Sequence, residues 1–175
     1  MQLKLHLGSG GHNFKDWTNI DANPRSRPDI ILDVRNRFPF EDGTVDFIFN
    51  EHLLEHLDYE EGLVFLKECH RVLKPSGVLR ISTPNLSWII KMYLEEKLDE
   101  WKDSRFVPIS SCHLINQWMR RWHHKFLYDK AEIHNSLKST GFSVIEDKES
   151  KKSNYPELTM LEHRPYHNDL IVEAK

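Results

Sequence analysis

The feature that most constrains the fold is a series of short apolar runs, each ending in glycine or a polar residue. The first run, Leu3 to Leu7, ends at Gly8-Ser9-Gly10-Gly11. Such runs are typical of buried strands, and their alternation with helices or loops predicts an α/β fold with a mainly parallel sheet. The seven predicted strands are residues 3–7, 17–20, 29–32, 45–49, 78–82, 142–146 and 169–173.

Three helices are predicted between these strands. Tyr59 to Lys74 carries apolar residues on one face and is followed by Pro75-Ser76-Gly77, a sequence that ends helices. Another helix is predicted to begin near Leu86, and a third to cover Asp129 to Ser139. Residues 88–128 interrupt the alternation, so we expect a helical and loop insert within a single domain of residues 1–175.

Composition narrows the class of protein. The chain has 175 residues, a one-domain length, and its formal charge of −3 disfavours a general nucleic-acid binder. Cys69 and Cys112 lie far apart, which fits a reducing compartment and excludes a cysteine-based zinc site. Neither a signal peptide nor the ~20 apolar residues of a membrane span is visible. We therefore expect a cytoplasmic protein.

Several strand ends carry residues suited to a nucleotide-like ligand, which parallel sheets bind at these ends. Gly8 and Gly10 remove side chains where a backbone must approach a ligand. Asp21 ends the next strand, where nucleotide-binding folds hold ribose hydroxyls, and it follows Gly8 too closely for a dinucleotide fingerprint. Asp33 and Val34 suit an adenine amino group and ring. Each acid taken alone also fits a cap or turn.

Four segments carry a resemblance to a known family: LHLGSG, WTNID, PFEDGTVDFIFNEHLLEHL and ECHRVLKPSGVLRISTPNL. They resemble the successive motifs of class I S-adenosylmethionine-dependent methyltransferases, most closely the compact type 11-like members. The resemblance is clear over residues 3–86, and HHKFLYDKAEIHNSLKSTGFSVIE is a weaker match. It implies a Rossmann-like fold, S-adenosylmethionine as cofactor, and methyl transfer to an unidentified acceptor of the small-molecule or sugar type.

The resemblance also implies roles for single residues. His6 stands where an acidic residue is usual, His12 replaces a third glycine, and the sequence starts at the first strand. A non-catalytic methyltransferase-like binding or partner subunit is therefore the alternative interpretation. The implied cofactor-binding residues are His6, Gly8, Ser9, Gly10, Asp21, Asp33, Val34 and Asn50.

Methyl transfer from a sulfonium is an in-line displacement that mainly needs alignment and exclusion of water. An oxygen acceptor also needs a base, for which a histidine or carboxylate near the methyl group is suited. The catalytic candidates are His52, Glu51 and His124. A structural role for His124, as a hydrogen-bonding histidine, stays open.

The tryptophan-rich insert has two interpretations. It could supply a lid and acceptor pocket, or its aromatic residues could fill a core or a homodimer contact. Arg120, Arg121 and Lys125 could recognise an anionic acceptor, such as a carboxylate or a phosphate-bearing sugar. They could equally form a solvated helix face.

His52-Leu53-Leu54-Glu55-His56 matches the H-x-x-E-H spacing of inverted zinc peptidases. A zinc hydrolase is therefore a remote alternative function. The position of this pattern directly after a predicted strand favours the methyltransferase segment, so no metal is expected.

Overall fold

The computed structural model describes residues 2–101, 105–164 and 168–175, and one sheet organises them. Its strands are β1 (Lys4–Leu7), β2 (Thr18–Asp21), β3 (Ile30–Ile31), β4 (Val45–Glu51), β5 (Leu73–Thr83), β6 (Ile145–Asp147) and β7 (Leu170–Ala174). They lie in the order β3-β2-β1-β4-β5-β7-β6. β1 to β5 pair in parallel, and β7 is antiparallel to both of its neighbours. The predicted seven-stranded, mainly parallel sheet is confirmed.

Four α-helices lie within the described ranges: α1 (Tyr59–Val72), α2 (Leu86–Leu94), α3 (Ser111–Arg120) and α4 (Lys130–Ser139). The start of α1 is fixed by a capping box, in which Asp58 accepts from the Glu61 backbone and Glu61 accepts in return. None of these helices is long and apolar enough to cross a membrane.

The end of α1 differs from the prediction. The helix stops at Val72, and β5 begins directly at Leu73 instead of after a turn. The register steps from Leu73 opposite Val45 to Val78 opposite Phe47, so the intervening residues bulge out of the ladder. A side chain on Gly77 would come within 2.9 Å of the Val45 carbonyl oxygen, which explains the glycine in this bulge.

Loops cover the first part of the sheet. Residues 8–44, all described, contain the 3-10 helix Pro24–Ser26 and no α-helix. The buried Asn19 side chain organises these loops by donating to Asp29 and to the Phe14 carbonyl and by accepting from the Phe14 N–H. The Asn19 amide therefore forms hydrogen bonds with backbone groups of a loop, where no helix pairs them.

The insert closes on itself. Its two ends meet where Asn85 forms a bridge with Tyr128 and the Leu86 N–H donates to the Tyr128 carbonyl over 3.0 Å. Between these points α2 and α3 enclose an apolar cluster that includes Trp101, Phe106 and Trp118. Several tryptophan side chains of the insert therefore fill a core, which agrees with the second of the two interpretations.

A buried ion network joins β5, β7 and the loop between β6 and β7. Arg80 is fully buried, and its guanidinium donates to Glu162 and to Glu173, each over 2.6 Å. It also donates to the Lys152 carbonyl over 3.0 Å, while Glu162 accepts from the Lys151 N–H. Hydrogen bonds thus satisfy this charge cluster on several sides, which buried ions require.

We predict that Arg80→Met lowers the free energy of unfolding by about 3–5 kcal/mol, because it leaves buried Glu162 without its cation and buried Glu173 with only Lys148, at 3.6 Å. Urea denaturation followed by circular dichroism measures this loss. Adding Glu162→Gln and Glu173→Gln to Arg80→Met should recover part of the stability. An Arg80→Met protein as stable as the parent would contradict a structural role for the network.

Candidate functional site

The turn after β1 has a backbone conformation that favours glycine. Gly8 and Gly10 have φ values of 70° and 54°. The Gly8 N–H donates to the Ile20 carbonyl over 2.8 Å, and a Cβ on Gly8 would lie only 3.0 Å from Leu53. The turn is therefore held tightly against the end of β2 and against the segment that follows β4.

Asp21 lies directly beside this turn, as the sequence predicted. Its carboxylate accepts from the Gly10 N–H over 2.8 Å and from the Asn23 N–H over 2.7 Å. Two backbone donors thus orient the carboxylate, which can still accept hydrogen bonds from ligand hydroxyls because its oxygens offer about four acceptor sites.

Asp33 is engaged in an ion pair that sequence reasoning missed. The Arg35 guanidinium donates to both Asp33 oxygens, and it also contacts Glu61. The pairing with Arg35 lowers the pKa of Asp33. Val34 is buried at the same strand end. A contact of Asp33 and Val34 with an adenine stays a prediction.

Ser9 and Asn50 present buried polar atoms to this region. Asn50 lies opposite Leu7 in the β1–β4 pairing, and it is fully buried. Within the described part of the chain, neither its side-chain nitrogen nor its oxygen has a hydrogen-bond partner, and the same holds for the Ser9 hydroxyl. Unsatisfied buried groups are rare and costly, so these atoms are suited to hydrogen bonds with a polar ligand or with water at this strand end.

We predict that Asn50→Leu raises the free energy of unfolding of the ligand-free protein by about 1 kcal/mol, since it removes an unsatisfied buried amide. Thermal and urea denaturation measure the change. Asn19→Leu is the matched control, because it removes a buried amide that has partners and should destabilise the chain. A destabilised Asn50→Leu protein would show that the amide has a partner in the folded chain.

His6 lies in an aromatic environment. Its ring stacks on Phe14 at a centroid distance of 4.3 Å and lies near Phe49. Its Nδ1 is 3.3 Å from the Asn19 side-chain oxygen. Burial lowers the pKa of His6 to about 4, so the ring is neutral near pH 7. A contact between this ring and a cofactor stays a prediction.

Glu51, at the end of β4, is held by a distant loop. Its carboxylate accepts from the backbone N–H groups of His163 and Arg164 over 3.2 and 3.1 Å. The His163 Nδ1 atom lies 2.5 Å from the same carboxylate, and His12 stacks on the His163 ring at 3.8 Å. Burial raises the pKa of Glu51 to about 7, which is a suitable value for proton transfer.

His52 follows Glu51 in a left-handed conformation, with φ of 53°. Its Nε2 lies 2.9 Å from Asp169 and its Nδ1 lies 3.3 Å from Glu55. Burial lowers the pKa of His52 to about 4. The ring is therefore neutral and is oriented by a carboxyl group on each side.

A cavity of about 460 Å³ opens next to His52. Arg121 lines it, as do two arginines that sequence reasoning missed, Arg105 and Arg164, which lie in loops without any local motif. By contrast, Arg120 donates to Asn116 and Lys125 to Glu61. Other residues of the wall are Trp118, Trp122, His52, His56 and His124.

Of the three catalytic candidates, His52 and His124 therefore share the cavity wall. His124 packs edge-on against His56 at a centroid distance of 5.2 Å and against Trp118 at 6.1 Å. Glu51 instead faces His163 and the backbone beside it. A catalytic role for any of the three stays a prediction.

Comparisons with known proteins agree with this geometry. Residues 12–81 match the family model of a methyltransferase domain. A probable S-adenosylmethionine-dependent methyltransferase of Mycobacterium tuberculosis is 45% identical over 67 residues, which cover 37% of this chain and 24% of the relative. The match thus spans about a quarter of that relative's length.

Solved structures share the fold. A SAM-dependent methyltransferase from Archaeoglobus fulgidus superimposes with a TM-score of 0.66 at 17% identity, covering 99% of this chain and 86% of that one. The trans-methyltransferase CalH, in complex with SAH, gives a TM-score of 0.59 at 14% identity, covering 99% of this chain and 51% of CalH.

The residues at the strand ends fit S-adenosylmethionine, the cofactor of this family. Gly10 leaves room for close approach, the Asp21 carboxylate can accept from ribose hydroxyls, and the buried Ser9 and Asn50 groups can satisfy polar atoms of the cofactor. The sheet order is that of the solved S-adenosylmethionine-dependent methyltransferases, and residues 12–81 match the methyltransferase-domain family.

Proposed function

We propose that this chain is an S-adenosylmethionine-dependent methyltransferase that acts on a small acceptor carrying a carboxylate or phosphate, such as an acidic sugar derivative. The observation that carries the proposal is the end of β4. There the unpartnered Asn50 amide lies beside the glycine-turn strand, and His52, two residues later, lines the cavity. A cofactor site and an acceptor cavity on either side of one strand end suit in-line transfer.

Different residues would have different roles in such a reaction. S-adenosylmethionine supplies the electrophilic methyl group. The glycine turn and Asp21 would hold the cofactor by backbone and ribose contacts. The walls of the cavity exclude water and fix the acceptor, and His52 or His124 would take a proton from an oxygen acceptor. Asp169 orients the His52 ring for this role.

The charge of the cavity supports an anionic acceptor. Arg105, Arg121 and Arg164 line the cavity, and guanidinium groups bind carboxylates and phosphates through paired hydrogen bonds. Trp122 adds partly exposed apolar surface, on which a sugar ring can pack. The arginines favour an acidic molecule over a neutral one.

Calorimetric titration with S-adenosylmethionine and S-adenosylhomocysteine tests the cofactor site. We expect one site per chain and at least tenfold weaker binding for Asp21→Ala, since losing charge-assisted hydrogen bonds costs about 1.5–3 kcal/mol. Glu41→Ala, which removes an exposed carboxylate, should leave the affinity unchanged. No binding at millimolar cofactor would refute the proposal, and binding without any transfer would favour the binding-subunit alternative.

Radiolabelled methyl transfer to a panel of sugar acids, sugar phosphates and their neutral counterparts tests the acceptor class. Acidic acceptors should be preferred, and Arg121→Gln should raise their KM about tenfold or more, because it removes a charge-assisted contact. Arg120→Gln removes a neighbouring guanidinium that bonds Asn116 and should have little effect. Equal use of neutral acceptors, with Arg121→Gln unchanged, would refute an anionic acceptor.

A further inference from the structure

We propose that Glu55, His56 and His124 form a binding site for a divalent transition metal ion, of the zinc type, in the wall of the cavity. One potential ligand atom from each of these residues lies within 4.8 Å of the other two. Two imidazoles and one carboxylate form a donor set that zinc and neighbouring metals prefer.

Backbone contacts bring the three residues together. Glu55 and His56 lie in the 3-10 helix Leu54–His56, which follows β4. The Glu55 carbonyl accepts from the Lys125 N–H over 2.8 Å and from the Phe126 N–H over 3.3 Å. These bonds fix the segment after α3 against the segment after β4, so His124 is placed beside Glu55 by the fold.

The dimensions of the cluster suit a metal after a small adjustment. Ligand atoms at about 2.0–2.2 Å from a tetrahedral zinc ion are about 3.3–3.5 Å apart. The distances between the ligand atoms, at most 4.8 Å here, must therefore shorten by little more than 1 Å. Rotation of the two imidazoles, which are only partly buried, can supply this movement.

Surrounding groups hold the ligands in orientation. Glu55 is 0% exposed, and one of its oxygens accepts from the Thr83 hydroxyl over 3.2 Å. The other lies 3.3 Å from His52, which Asp169 holds in turn. The His56 ring is hydrogen-bonded to the backbone of His123, which leaves its second nitrogen for a metal. Such outer contacts are typical of metal sites.

The electrostatic balance also favours a cation. Within the described ranges, the side chain that forms an ion pair with Glu55 is the imidazole of His52, whose Nδ1 lies 3.3 Å from the carboxylate. A fully buried carboxylate is costly without a compensating positive charge. A metal ion bound to Glu55 supplies that charge.

This set differs from the H-x-x-E-H pattern of the sequence. That pattern needs two histidines one turn apart on a helix, but His52 precedes the 3-10 helix and its ring is held between Asp169 and Glu55. In the cluster, His124 takes the place of His52. The metal would retain an open position toward the cavity, and on the basis of the proposed function an acceptor oxygen could occupy it.

Titration of the EDTA-treated full chain with ZnCl2 tests the site, and visible absorption of the Co²⁺ form reports the coordination geometry. We expect one equivalent per chain, and at least hundredfold weaker binding for His124→Ala. His123→Ala is the matched control, because His123 lies beside His124 on the cavity wall but outside the cluster. The zinc affinity of this variant should be unchanged.

Absence of saturable Zn²⁺ and Co²⁺ binding, or equal loss in His123→Ala and His124→Ala, would overturn the proposal. If His124→Ala does not fold, His124→Gln takes its place, and zinc should raise the Tm of the parent but not of this variant. Cofactor affinity is measured separately in EDTA, where it should be unchanged, so failure of the metal site and failure of the cofactor site remain distinguishable.

Discussion

The buried pairing of Arg80 with Glu162 and Glu173 is the interaction on which the far side of the sheet depends. Arg80 joins two strands and fixes the long loop before β7. In the same loop, the residues directly after Glu162 donate their backbone N–H groups to Glu51. A charge cluster in β5 and β7 therefore holds the loop whose backbone binds Glu51 at the end of β4.

The positions of the strand-end residues could be predicted because they depend on local sequence. Gly8, Gly10 and Asp21 each follow an apolar run, and parallel strands bring their carboxyl ends to one edge of the sheet. The Gly10 to Asp21 hydrogen bond confirms that the turn and the carboxylate are neighbours. The sequence also predicted the sheet, and it placed six of the seven strands to within about three residues.

Contacts between distant segments could not be predicted in the same way. Arg105 and Arg164 reach the cavity from loops far apart in the chain, and no pattern in their own neighbourhood marks them. The predicted start of β5 was wrong because Pro75 and Gly77, which usually form a turn after a helix, lie in a bulge of the strand. Such features depend on register and on long-range packing, which a single sequence records only indirectly.

The closed ends of the insert have an evolutionary consequence. The segment between Asn85 and Tyr128 leaves the sheet and returns to it at one bridge, and much of its apolar surface is buried within its own cluster. A segment anchored in this way can be lengthened, shortened or exchanged while the parallel strands keep their register. Diversification of the cavity in such a lineage would then proceed by replacing this one module.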